Sequence, residues 1–246
     1  MNYYFLLEDS KSFIKILPKW LEYLGFGCTR VPDISQIETN NYILQSGQGV
    51  IQLVTKALFD TIDTIQQYPN KIDKLVIVLD AENETVSSRK QQVKDKIAEK
   101  YNIGDLDFEI KIFVCNCCIE TWLLGKKGLY PQPSEVIPSS ENYQYFCKHF
   151  ERHYYHYNIE AKDPELMLLP TESSETKAHY HFSYFHDLCL YNYLTKKEPL
   201  KYSKSKPQLA LEKNFFDGLM ERINTTDHLK SLKEFIDFLK TTNKYK

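Results

Sequence analysis

Four short apolar runs organise the first half of the chain: Tyr3 to Leu7, Tyr42-Ile43-Leu44, Lys74 to Asp80 and Phe108 to Val114. Each has the length and the β-branched or aromatic content of a strand. Leu75-Val76-Ile77-Val78-Leu79 is apolar without alternation, as expected of a strand covered on both faces in a parallel sheet. The segments between the runs change to helical spacing. Phe13-Ile14-x-x-Leu17 and Trp20-Leu21-x-x-Leu24 predict a first helix, with Asp9 and Ser10 as caps and a kink or late start near Pro18. Gln45 to Gly49 is a turn opening a second helix over about 50–66, and a charged helix spans 87–101. The order β-α-β-α-β-α-β predicts an α/β fold with a mostly parallel sheet flanked by helices. Four or five strands are expected, with Leu75–Leu79 central and Tyr3–Leu7 beside or near it.

After about Tyr130 the pattern changes. A Pro- and Ser-containing loop from Pro131 to Ser140 leads into a region rich in aromatic residues and histidine. Helices are expected over 146–157, 179–194 and 209–239. The division is a sheet domain over 1–130 and a mainly helical C-terminal region over 131–246, packed on it.

Four acids change the picture from fold to chemistry. Glu8 directly follows one buried run, and Asp80 closes another, with Glu82 two residues on and Glu84 beyond. Ligands of open parallel sheets bind outside the carboxyl ends of the strands, so these acids are placed to meet. Carboxylates brought together repel unless a cation neutralises them, and an all-oxygen set suits Mg²⁺ or Mn²⁺. Each acid alone is also compatible with a solvated strand end, and the residues by themselves leave both readings open.

The sequence of motifs resembles the Toprim fold: apolar strand-Glu8, Gly47-Gln48-Gly49 before a helix, strand-Asp80-Ala81-Glu82, then Ile119-Glu120-Thr121-Trp122-Leu123-Leu124. More narrowly it is similar to the small stand-alone Toprim-like proteins of bacterial defence loci, including the DUF4276 family. It is also similar to the Toprim half of OLD-family nucleases and to the Toprim effector that accompanies an ABC-type ATPase in the PARIS system. The resemblance covers roughly residues 1–130, with a weaker match at Lys201-Tyr202-Ser203-Lys204 and Ser231 to Phe235. Two positions depart from the pattern: Asp9 stands where Gly usually follows the first Glu, and Glu82 replaces the second Asp.

The resemblance implies a Mg²⁺-dependent nuclease, cutting phosphodiesters in DNA or RNA and tRNA as an effector against phage. Glu8, Asp80 and Glu82 would be the metal ligands, and the same three with Glu120 the catalytic residues. Asp9 and Glu82 favour a second reading, a catalytically degenerate interaction subunit docking on an ATPase partner. A nucleic-acid substrate, an ATPase partner protein and self-association into a homo-oligomer are the expected partners.

Arg89, Lys90, Lys126 and Lys204 are the expected nucleic-acid-binding residues, set against the commoner role of such charges as a solvated face. A formal net charge of -2 over 246 residues excludes coating of nucleic acid by bulk charge, so contact must be local. His149, His153 and His156 share one helix face, and the interleaved aromatics favour packing over metal binding there. His179 and His181 are read in the same way. Cys115, Cys117 and Cys118 offer a zinc half-site, but without a second pair at matching spacing they fit a buried strand better. No Walker A, dinucleotide or nucleophile-elbow motif is present. No apolar run approaches the roughly 20 residues of a membrane span, and the first residues lack a basic leader, so the chain is expected in the cytoplasm without membrane contact.

Overall fold

The structure, a computed structural model, describes residues 1–130, 138–154, 157–170, 173–196 and 202–241. Five strands, all parallel, form one sheet: β1 (Tyr3–Leu7), β2 (Thr29–Arg30), β3 (Asn41–Ser46), β4 (Lys74–Asp80) and β5 (Glu109–Cys115), in the order β2-β3-β1-β4-β5. β1 pairs β3 on one side, with Phe5 opposite Leu44, and β4 on the other, with Phe5 opposite Val76. The middle strand is therefore β1 rather than Leu75–Leu79. The two-residue edge strand β2 moves the centre, and its exposed residues carry no hydrophobic pattern to announce it.

Alternation along the strands sends side chains to two separate cores. Tyr3, Phe5, Leu7, Val76 and Val78 face one; Tyr4, Leu6, Leu75, Ile77 and Leu79 face the other. Helix α1 (Phe13–Tyr23) buries Phe13, Ile16, Leu17, Trp20 and Leu21 in the first core. Pro18 lies inside α1, and the helix starts well before it. Asp9 explains the early start: its carboxylate accepts from the amides of Lys11, Ser12 and Phe13 at 2.7, 2.6 and 2.5 Å.

The second core is roofed by α2 (Val50–Gln52), a π-helical turn over Leu53–Ala57, α3 (Leu58–Gln66) and α4 (Val86–Ala98). Gly47 is required at the entry to this run, because a Cβ there would stand 2.7 Å from Leu53 Cβ.

Helix α5 (Ile119–Leu123) follows β5, and the C-terminal region completes the first core with α6 (Glu141–Tyr154), α7 (Lys177–Lys196), α8 (Gln208–Leu211), α9 (Lys213–Thr225) and α10 (Lys230–Thr241). The helical stretch expected over 209–239 is divided among three helices, α8, α9 and α10. Phe235 of α10 stacks on Trp122 at 5.7 Å and meets Phe113 of β5 at 5.2 Å, while Phe216 of α9 meets Trp20 at 5.6 Å. These contacts join both halves of the chain in one continuous apolar cluster. Among the described residues no helix is long and apolar enough to cross a membrane.

Candidate functional site

The strand order makes β1 the turning point of the topology. The chain runs from β1 to one side, then crosses to β4 and β5 on the other. A crevice opens outside the carboxyl ends at such a point. Glu8 leaves β1 there, its backbone amide donating to Val78 O at 2.9 Å. The Glu8 carboxylate turns toward β4, and its Oε2 accepts from the Asp80 amide at 2.6 Å. The two acids are thereby locked to adjacent strand ends.

Glu120 arrives from a third element. It sits in the first turn of α5, directly after β5, and its side chain is wholly buried. Tyr202 Oη donates to Glu120 Oε1 at 3.0 Å, and Lys204 Nζ stands 3.8 Å from the same oxygen. Glu120 Oε2 is buried without a hydrogen-bond partner. Asp80 lies within electrostatic reach of Glu8, Glu120, Lys204 and Asp9.

The acids pay for this closeness in proton affinity. Burial pushes the Glu8 carboxyl from 4.5 up to about 7, with Glu82 and Asp9 adding to the rise and the Asp80 amide and Arg89 opposing it. Asp80 is raised well above its ordinary value, first by burial and then by the charges of Glu8 and Glu120. Glu120 is raised by burial against the pull of Lys204. For Lys204, burial works against the charged form, but Glu120 and Asp80 prevail and raise its pKa. Three carboxyls held up together describe a site short of positive charge. Among the described residues no three His, Cys, Asp or Glu side chains stand ready-placed to hold a metal ion.

Glu82 occupies the rim. Its backbone is in the left-handed region at φ 55°, its amide donates to Cys117 O at 2.9 Å, and its side chain is half exposed. Glu82 Oε2 lies 3.6 Å from Arg89 Nη2. Glu84 is exposed and accepts from Ser88 Oγ at 3.0 Å, a local contact at the start of α4.

The basic residues divide. Lys204 lies at the acids. Arg89 is mostly buried, and its guanidinium donates to Ala81 O at 3.1 Å and to Gln92 Oε1 at 2.9 Å, so it braces the Asp80 loop. Lys90 is paired with Glu234 at 2.6 Å. Lys126 packs its methylenes beside Gly218 of α9. Lys201 lies outside the described residues. On α6, His149 is exposed beside Tyr145; the His153 side chain and His156 lie outside the described residues. His179 stands 3.3 Å from Glu175.

His181 is fully buried: its Nδ1 meets Thr121 Oγ1 at 2.8 Å and its Nε2 meets Met167 O at 3.0 Å. The Thr121 hydroxyl also lies 3.5 Å from both Cys117 Sγ and Cys118 Sγ. All six cysteines are free thiols, and burial pushes those of Cys115 and Cys118 well up. A cavity of about 730 Å³ opens beside the end of β5, lined in part by Asn116, Glu165, Ser231 and Glu234.

No family model, no curated protein and no solved structure matches this chain.

The resemblance singled out the Tyr202–Lys204 segment, but nothing in the sequence paired Tyr202 and Lys204 with Glu120. Both residues lie more than eighty positions from Glu120, and contacts over such separations leave no local pattern.

Proposed function

We propose that this chain is a Mg²⁺- or Mn²⁺-dependent nuclease that cleaves phosphodiesters in DNA or RNA, including tRNA, as an effector in anti-phage defence. One observation carries the chemistry: the half-buried Glu8 and Asp80 are tied together at adjacent strand ends at the turning point of the sheet, and Asp80 feels the charge of the fully buried Glu120. The defence role rests on the resemblance of the Glu8, Asp80-Ala81-Glu82 and Glu120-Thr121-Trp122 segments to Toprim effectors.

The donor set fits a hard divalent cation, since every donor is a carboxylate oxygen and burial leaves the acids wanting positive charge. Glu8 and Asp80 would hold the ion, with Glu82 reaching in from the rim after side-chain rotation. Bound there, the ion would lower the pKa of a ligated water and offset charge on the phosphoryl oxygens. Glu8 Oε1, the oxygen that the Asp80 amide leaves unengaged, is the candidate acceptor of the water's proton. Exposed Lys204 can meet a backbone phosphate.

Incubating the protein with plasmid, single-stranded DNA and tRNA in Mg²⁺, Mn²⁺ or EDTA tests this. Cleavage should need the metal, and Asp80→Asn should slow it at least about a hundredfold. Undiminished cleavage by Asp80→Asn rejects the mechanism. The pairing of Glu82 with Arg89 and the presence of Lys204 among the acids favour one alternative, a catalytically degenerate subunit docking on an ATPase partner. A wild type inert on every substrate would decide for it.

A further inference from the structure

The cavity of about 730 Å³ beside the end of β5 has neither Glu8 nor Asp80 in its lining. Its volume is that of a small-molecule site. Val86, Tyr157 and Leu166 give it apolar surface, and Leu166 is 69% exposed. Four carboxylates, those of Asp163, Glu165, Asp227 and Glu234, line it against two lysines, Lys162 and Lys230. Its field therefore favours a cation over a phosphate.

The acids fall into two pairs. Asp227 and Glu234 are exposed and have lysines of their own, Lys230 at 2.8 Å and Lys90 at 2.6 Å. Asp163 and Glu165 are 9% and 6% exposed, and among the described residues neither has a lysine, arginine or histidine in ion-pair contact. Both are fastened at the start of α10. Asp163 Oδ1 accepts from the amides of Glu165 and Leu229 at 3.0 and 3.1 Å, and Glu165 Oε1 accepts from the amide and hydroxyl of Ser231 at 3.0 and 2.5 Å. These bonds use one oxygen of each carboxylate, and neither second oxygen is sealed from solvent. Burial raises the Glu165 pKa over the opposing hydrogen bonds of Ser231 and the Asn116 side chain. The buried Arg222 guanidinium feels Asp163 but donates to the carbonyls of Ile159 and Lys162 and to His228 Nδ1. Lys162 Nζ lies over the Tyr157 ring, 5.3 Å from its centroid. Buried acids without a counter-ion are costly, and a helix start relieves only part of that cost.

We propose that this cavity binds a small organic cation, a guanidinium on a short apolar stem, with Asp163 and Glu165 as its receptor. The site is separate from Glu8 and Asp80, so it stands whether or not the chain cuts nucleic acid. A guanidinium is planar, weakly hydrated and carries five donors, so one group can serve both carboxylates. Its stem then lies on the apolar surface of Val86 and Leu166.

Calorimetric titration of the full chain with butylguanidinium tests the assignment, beside neutral N-butylurea, AMP and a capped Gly-Arg-Gly peptide. Butylguanidinium should bind with a Kd of about 1 mM or tighter, and butylurea at least about tenfold more weakly. Glu165→Gln should weaken butylguanidinium at least about tenfold. Glu165 also anchors α10, so a thermal melt checks that this variant is folded. Leu166→Arg changes an exposed side chain, places a guanidinium of its own at the cavity, and should abolish uptake whatever the fate of Glu165→Gln. No uptake by the wild type at about 10 mM overturns the proposal. So does butylurea binding as tightly as butylguanidinium, AMP binding more tightly, or unchanged uptake in Leu166→Arg or in folded Glu165→Gln. If the capped peptide binds more tightly than butylguanidinium, the occupant is an arginine of a partner protein and the small-molecule assignment falls.

Discussion

Replacing Glu8 by glutamine should stabilise the metal-free protein at alkaline pH, the opposite of what removing a partly buried, hydrogen-bonded side chain usually does. Burial holds the Glu8 carboxyl at about 7 in the folded chain against 4.5 for an ordinary glutamate. A carboxyl with a raised folded pKa binds its proton more tightly in the folded state. Its contribution is complete below the unfolded value, declines between about 4.5 and 7, and is gone above. Across that window the cost amounts to about 3 kcal/mol. For a chain of this size a kilocalorie moves the melting temperature by roughly 2–4 °C, so the wild type in EDTA should lose about 6–12 °C on this account. The glutamine side chain keeps a carbonyl oxygen to accept from the Asp80 amide and carries no charge. Glu8→Gln should therefore melt about 5 °C or more above the wild type at pH 8 and close to it at pH 4.5. The raised pKa of His186, set by Asp187, also removes stability as pH rises, but it is common to both proteins and cancels in the difference. A Glu8→Gln protein that melts below the wild type at pH 8, or by a pH-independent margin, would refute the claim that Glu8 is held against its preferred charge.

Two further outcomes follow from the packing. Phe235→Ala removes a fully buried ring lying between Trp122, Phe113 and Phe13, and should cost about 3–5 kcal/mol in urea unfolding, with sheet and C-terminal helices lost in one transition. Asp9→Ala leaves the first amides of α1 without their acceptor and should cost about 1–2 kcal/mol, whereas Asp9→Asn should recover most of it.

Much of the architecture is legible in one dimension. The apolar runs ending in Leu7 and Leu79 are too short for helices and apolar at every position, so they must be strands covered on both faces, and parallel strands need the helical crossovers that the spacing around Leu17 and Ile62 supplies. Glu8 and Asp80 follow from the same reasoning, because an acid closing a buried strand of a parallel sheet is carried to the edge where ligands bind. The edge strand Thr29–Arg30 escapes it: both residues are exposed, and only pairing with β3 makes them a strand. The three-way break of 209–239 escapes as well, because all its pieces share one apolar rhythm and only the surfaces they meet decide where each must turn.

How each acid is covered and neutralised was decided by tertiary structure. Asp80-Ala81-Glu82 looks like a ligand pair in sequence, yet the left-handed backbone at Glu82 and the largely covered Arg89 beside it leave that side chain at the rim. Glu120, an ordinary acid at a helix start, is driven wholly inside because the C-terminal region closes over α5. Tyr202 and Lys204 reach it from across the chain. Strand and helix periodicities are local and survive in the sequence. Burial, and the charge balance that burial makes costly, depend on which distant segment covers a residue, and that is settled only when the layers pack.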